Sequence, residues 1–236
     1  SGSDAIAETG AGDTSVSVLA AGWVLPGAVG SGAAVPGDLE PDALMADNGE
    51  LDGFSAAPYL ESVKGYLDPS AAYALGAASL CLGHGPARSD RDRARVGVVT
   101  ATRYGAPQSA LTFIRQMSEK GPRLASPMIF PHGYDNTPGN LVSIEFGFAG
   151  PHMVFSRAAG VREALWFAVD CLRRDTADEM LVIAFEAVSA EAVPDGYTVL
   201  NGALCWRIGL GGDGISLPDP PQSPVALGVV YGALKG

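Results

Sequence analysis

The amino-acid sequence predicts an α/β fold built on a mixed sheet. Two apolar runs of strand length, Val96–Thr102 (VGVVTAT) and 180–188 (MLVIAFEAV), flank a helical stripe. In that stripe Val161, Ala164, Leu165, Ala168, Val169 and Leu172 recur at the three-and-four spacing of one helix face. Two strand-like segments, 197–210 and 225–234, then follow around the proline-rich stretch 218–224. Strands that alternate with helices and then continue alone give a mixed rather than an all-parallel sheet.

The elements follow in chain order. Residues 15–25 (SVSVLAAGWVL) form a β-rich apolar run that stops at the turn pair Pro26-Gly27. Residues 28–58 are rich in Gly, Pro and Asp and read as a surface loop or insertion. Residues 71–82 (AAYALGAASLCL) are apolar almost all round and too short to cross a membrane, so they predict a helix buried on most sides. Val96–Thr102 follows the charged run 88–95 and predicts a buried strand. Residues 109–120 carry apolar side chains at 110, 111, 113, 114 and 117, again a helical pattern. The helix from Val161 puts Arg173 and Arg174 in its last turn, where the helix dipole favours cations. Residues 180–188 make a central strand. Together with 15–25, 96–102, 197–210 and 225–234 it forms a five-stranded sheet packed with helices. One domain is expected over 4–236, with Ser1-Gly2-Ser3 an expression remnant.

The 236 residues are 47% apolar and 17% charged, a balance typical of a folded domain. A chain of this length buries about 70–75% of its unfolded surface and needs neither disulfide nor metal to hold together. Fifteen basic against 26 acidic residues leave a formal charge of −11, which disfavours nucleic acid, anionic membranes and acidic proteins as partners. Cys81, Cys171 and Cys205 are odd in number, far apart in sequence and free of any CxxC pair, so they read as core thiols in a reducing compartment. The sequence has neither an 18-residue uncharged apolar run nor a basic leader, and a cytosolic location is expected.

Gly209 to Gly214 spells GxGxxG, but a phosphate cradle needs a helix that starts at the last glycine. The following Ile-Ser-Leu-Pro-Asp-Pro-Pro cannot start one, so the segment predicts a turn. Of the histidines His84, His132 and His152, none has a ligand at i+3 or i+4; no metal and no cofactor are expected. His132 stands in Pro131-His-Gly-Tyr-Asp-Asn136, a mixture suited to hydrogen bonding in a loop or interface. The cysteines lack a nucleophile's setting. Cys171 falls near a helix C-terminus, where the dipole opposes a thiolate, while Cys81 sits in an apolar run and Cys205 in a strand. Ser156 has a nucleophile's neighbourhood but no evident base.

Several segments, taken in order, carry a resemblance. They are SVLAAGWVLPGAVGSG near the N-terminus, Tyr66-Leu-Asp68 with Tyr73-Ala-Leu75, RVGVVTAT from Arg95, and Gly121-Pro-Arg123. SPMIFP from Ser126, Asn136, GFAGP from Gly147, the helix from Gly160 to Arg174 and the strand ending Phe185-Glu186-Ala187 complete the set. Together they resemble the N-terminal half of a β-ketoacyl synthase, the condensing enzyme of fatty-acid and polyketide assembly, and imply a thiolase-like fold. In that family a nucleophilic cysteine follows the Gly-Pro pair by eight residues and opens a buried helix, where it carries the acyl chain. The matching position here is Ala159, which has no nucleophile to offer. The histidines that decarboxylate the malonyl unit belong to the family's C-terminal half, and neither of their glycine-flanked motifs occurs in this sequence.

The resemblance therefore implies a non-catalytic subunit of chain-length-factor type. Such a subunit pairs with an active ketosynthase in polyketide, aryl polyene or fatty-acid synthesis. Known chain length factors carry glutamine at the cysteine position, so Ala159 departs from that pattern too. Charge adds that an acidic acyl carrier protein docks on the partner rather than on a chain at −11. Pairing is expected through 130–136 and 151–156. Met128, Ile129 and Phe130 would reach toward the partner's acyl pocket, with His132, Asn136, Phe155 and Ser156 around the interface. Without the family's second half, the helices at 71–82 and from 161 are expected to show apolar faces to water. Two other readings stay open: a homodimeric acyl-binding or scaffold protein, and a divergent acyltransferase using Ser156.

Overall fold

The computed structural model describes residues 15–45, 51, 53–83, 92–156, 160–189, 192, 199–211 and 228–235. Among the described residues six strands make one sheet: β1 (Val16–Leu25), β2 (Ala28–Gly32), β3 (Val96–Thr102), β4 (His152–Ser156), β5 (Glu179–Glu186) and β6 (Gly202–Leu210). Their order is β2-β1-β6-β5-β3-β4. β3 runs parallel to β4 and β5, and the other neighbours are antiparallel. The helices are α1 (Pro41–Leu44), α2 (Pro69–Gly83), α3 (Pro107–Lys120), α4 (Thr137–Phe146), α5 (Val161–Arg173) and α6 (Gly228–Lys235).

The sheet is mixed, as the sequence pattern requires, but has six strands rather than five. Segment 28–58 is not simply a loop. A two-residue Pro26-Gly27 connection, with Gly27 at φ 69°, folds Ala28 back onto Leu25 and starts β2. The same segment also holds α1 and a 3₁₀ turn at Ala57–Tyr59. β4 is a five-residue strand whose short run escapes pattern reading. At the other end of the chain, the described part of 225–234 is a helix, α6, and not a strand. An apolar run of eight residues fits either period, and its packing against β3, β5 and β6 makes the choice.

Side chains alternate between the two faces of the sheet. Val99, Ala101, Met180, Val182, Ala184, Leu204, Trp206 and Ile208 join one core with α5 and α6. Val98, Leu181, Ile183, Phe185, Ala203 and Cys205 join a second core with α2 and α4. In β1 the register shifts between Val18 and Ala20, a bulge that re-phases the strand. Val18 and then Ala21, Trp23 and Leu25 consequently share the α5 face, while Ala20 and Val24 share the other.

The two central helices do not show apolar faces to water, contrary to expectation. α2 is buried along most of its length, with α4 beside it and Phe54, Leu60 and Leu67 packed over the same core. α5 buries Val161, Ala164, Leu165, Ala168, Cys171 and Leu172, leaving Trp166 outward at 71% exposed. All three cysteines are buried and free, as core thiols should be. Cys81 and Cys205, distant in sequence, lie side by side. Burial, and then the neighbouring thiol, push Cys205 well above the usual thiol range. Among the described residues no helix is long and apolar enough to cross a membrane.

Candidate functional site

The region from 128 to 156 is built outward from two buried carboxylates. Asp68 is fully buried; its Oδ1 accepts from Ser70 N (2.9 Å) and Oγ (2.6 Å), and its Oδ2 from Ser109 N (2.9 Å) and Oγ (2.6 Å). One side chain therefore caps the first turns of both α2 and α3. Tyr66 adds a bond to the Ser109 hydroxyl at 2.9 Å and sets its ring edge-on to His132, with centroids 4.9 Å apart.

The second carboxylate, Glu186, closes β5 and is completely buried. It accepts from Thr102 Oγ1 (3.2 Å), Arg103 N (2.7 Å), Tyr104 N (3.2 Å) and Val229 N (3.1 Å). Burial pushes its pKa up to about 7, and the four bonds only partly offset that rise. Glu186 thereby fixes the loop after β3. Within that loop Gly105, at φ 69°, faces Asp135 so closely that a β-carbon there would collide with the Asp135 carboxylate.

On this base stands a 3₁₀ turn, Phe130–Gly133. Phe130 packs on Phe113 of α3 (5.0 Å) and on Tyr134 (5.2 Å). The Thr137 hydroxyl closes the turn onto the Pro131 carbonyl at 2.6 Å. α4 follows directly, and its Gly139 lies against β4. A β-carbon on that glycine would stand 2.9 Å from His152 Nε2. Burial lowers the His152 pKa, against a smaller opposing effect of the Gly139 backbone, so the ring is held toward its neutral form. β4 is the last strand of the sheet. It bonds to β3 on one side and has no strand on the other among the described residues. In β4 itself Met153 is 42% exposed, and around the 3₁₀ turn Met128 is 72% exposed, Phe130 48% and Tyr134 49%.

The structure brings Met128, Ile129, Phe130 and His132 onto one turn, as the sequence reading grouped them. Asn136 is exposed just before α4, where its carbonyl accepts from Asn140 N at 3.0 Å. Phe155 points inward instead and packs on Phe167 of α5 at 6.1 Å. Ser156 pairs with Thr102 in the ladder, and no hydrogen bond joins it to a base among the described residues. Ala159 lies outside the described residues, as do His84 and Gly212 to Gly214. Gly209 lies in β6, and Gly211, at φ 74°, turns the chain just after it. No cluster of His, Cys, Asp and Glu suited to a metal occurs among the described residues. Sequence reading missed the double cap and the Glu186 clamp. Asp68-Pro-Ser70 is a visible capping pattern, and a lone acid at the end of an apolar strand is a visible anomaly.

A family profile described as "Beta-ketoacyl synthase, N-terminal domain" matches residues 52–201. The chloroplastic 3-oxoacyl-[acyl-carrier-protein] synthase I of Arabidopsis thaliana is 27% identical over 145 residues, covering 59% of this chain and 31% of its own length. The Hordeum vulgare protein of the same description is 28% identical over 168 residues, covering 67% and 35%. The chain thus spans about a third of the length of these relatives. Among solved structures, the ishigamide ketosynthase/chain length factor superposes with a TM-score of 0.66 at 20% identity, covering 87% of this chain and 64% of that one. A type II polyketide ketosynthase in complex with its acyl-carrier protein gives 0.65 at 16%, covering 83% and 62%. A ketosynthase in complex with its chain length factor from Xenorhabdus doucetiae gives 0.52 at 13%, covering 84% and 80%. The shared architecture is the thiolase-like ketosynthase fold.

Proposed function

The chain belongs to the β-ketoacyl synthase N-terminal domain family, and on that footing we propose that it is a non-catalytic subunit of chain-length-factor type that pairs with an active β-ketoacyl-[acyl-carrier-protein] synthase. One observation carries the reading: β4 is the edge strand of the sheet, with no strand beyond it among the described residues, and its Met153 is 42% exposed. Unprotected apolar edges are uncommon on isolated domains, because their free N–H and C=O groups template pairing with another chain. Two of the similar solved structures contain a ketosynthase with a chain length factor, which fits a partner of that kind.

In the assembly Met128 and Phe130 reach toward the partner's acyl pocket, where their bulk limits the chain that fits; overfilling such a pocket costs about 1–3 kcal/mol. Ala159 at the nucleophile's position supports the non-catalytic part of the reading. The acidic surface leaves carrier-protein docking to the partner. The pathway class is polyketide, aryl polyene or fatty-acid synthesis, in the cytosol.

Light scattering on the chain alone and co-expressed with a ketosynthase of such a pathway tests the proposal. A one-to-one complex, with condensation only in the mixture and loss of pairing in Met153→Asp, supports it. A homodimer that ignores the ketosynthase would instead favour an acyl-binding or scaffold protein, since a strand edge pairs equally well with a second copy of itself. Covalent labelling of Ser156 by an acyl thioester would establish an acyltransferase.

A further inference from the structure

One face of the sheet extends over β1 and β6, strands that flank the matched region 52–201, and there it needs a cover beyond α5. Trp23 and Leu25 of β1, and Leu204, Trp206 and Ile208 of β6, turn their apolar side chains to the α5 face. Within residues 52–201, α5 is the helix packed on that face, and it lies mainly over β3 and β5. Yet Trp23 is only 9% exposed and Trp206 only 8%. The rest of the cover comes from both flanks of the matched region. α6 adds Val229, Val230 and Tyr231 to the core, and Val35, Leu39, Leu44 and Met45 pack against it from the other flank.

Two attachments hold these pieces in place. Val229 N donates to the buried Glu186 carboxylate at 3.1 Å. Tyr231 O–H donates to Asp42 Oδ1 of α1 at 2.6 Å, joining flanks 189 positions apart. We infer that α6 and the 35–45 stretch form a cap carried by this chain. The cap seals the β1 and β6 part of the α5 face against water and closes that part to a partner, which leaves the β4 edge for pairing. The sealing stands on the chain alone; the closure to a partner rests on the pairing proposed above.

Tryptophan quenching by acrylamide tests it on the full chain. In a Trp166→Phe background the remaining reporters, Trp23 and Trp206, both lie on the capped face. The parent should quench slowly. Val230→Asp, at a fully buried position, should raise the quenching constant about fivefold or more, as local opening exposes the face. Should Val230→Asp fail to fold, Tyr231→Phe and Asp42→Ala each break the Tyr231–Asp42 bond and should give a smaller rise in the same direction. Folded variants that quench like the parent would overturn the cap. Adding the partner ketosynthase should leave quenching and α6 amide exchange unchanged. Faster α6 exchange in the complex would mean that the partner displaces the cap, which overturns the closure. Absence of any complex would count against the proposed pairing, while the quenching series on the chain alone still decides the sealing.

Discussion

Two loops on opposite faces of the sheet are tied down by the same device with opposite electrostatics. On the α2 face, Glu145 of α4 accepts from Glu61 N (2.7 Å), Ser62 N (3.1 Å), Ser62 Oγ and Lys64 Nζ (2.6 Å). On the α5 face, Glu186 accepts from one hydroxyl and three amides that belong to the loop after β3 and to α6. The Glu145 side chain is 1% exposed but belongs to a half-buried residue near the surface, whereas Glu186 is fully buried. Burial pushes both carboxyls up. At Glu145 the Lys64 ammonium and the Ser62 bonds outweigh it and bring the pKa down to about 2; at Glu186, where every donor is neutral, burial wins and the pKa stands at about 7. The number of hydrogen bonds is thus a poor guide to a buried acid. The depth of burial and the charge of the donors decide the sign together.

The most severe test is Glu186→Ala, which strips the acceptor from three amides and a hydroxyl inside the protein. At about 1 kcal/mol or more per orphaned group, the expected loss is about 3–5 kcal/mol in urea unfolding. Exchange protection should vanish first at Val229 and at residues 103–104.

Next comes pH. Glu186 has its folded pKa raised from 4.5 to about 7, so its contribution to stability is fully present below pH 4.5 and is lost as pH rises through 7. The shift corresponds to at most about 3 kcal/mol. Stability should therefore fall between pH 5 and pH 8 in step with α6 exchange, and Glu186→Gln should flatten that limb (pH window set by the same two values). Glu145 behaves in the reverse sense. Its folded pKa is lowered from 4.5 to about 2, so its contribution is present above 4.5 and is lost as pH falls toward 2. Acid should loosen residues 61–64 and leave α6 in place. Glu145→Gln should cost about 1–2 kcal/mol at neutral pH, since the bonds survive in part.

The smallest effect is the most informative. Lys64→Met removes the cation and leaves the other three donors, at a cost of about 1 kcal/mol or less for a pair that keeps partial contact with solvent. The acid limb should then move to higher pH, toward the behaviour of Glu186. An unmoved acid limb would show that the amides, and not Lys64, hold Glu145 down.

Elements whose pattern is long and local were legible in the sequence. β3 occupies Val96–Thr102 as read, α5 begins at Val161, and α2 extends the expected helix by only a few residues. The interface expected at 130–136 came from the family resemblance rather than from a local pattern; the structure forms a 3₁₀ turn there, at Phe130–Gly133. Short elements were not legible. β2 and β4 are five residues each, below the length at which a period can be counted, and α6 is an apolar octet whose helical state depends on the core it enters.

Local chemistry sufficed for the α/β class, the buried helix of small residues, the thiols in the core and the acidic balance of charge, because each depends on composition or on spacing within a few turns. Strand order, and with it the exposure of β4 at the sheet edge, came from pairings between residues tens to nearly two hundred positions apart. So did the meeting of Cys81 with Cys205, the sharing of Asp68 between two helices, and the grip of Glu186 on α6. Such contacts leave no periodic trace in the chain: they arise when apolar faces are stacked to exclude water, and the polar groups caught between those faces must find partners wherever the packing puts them.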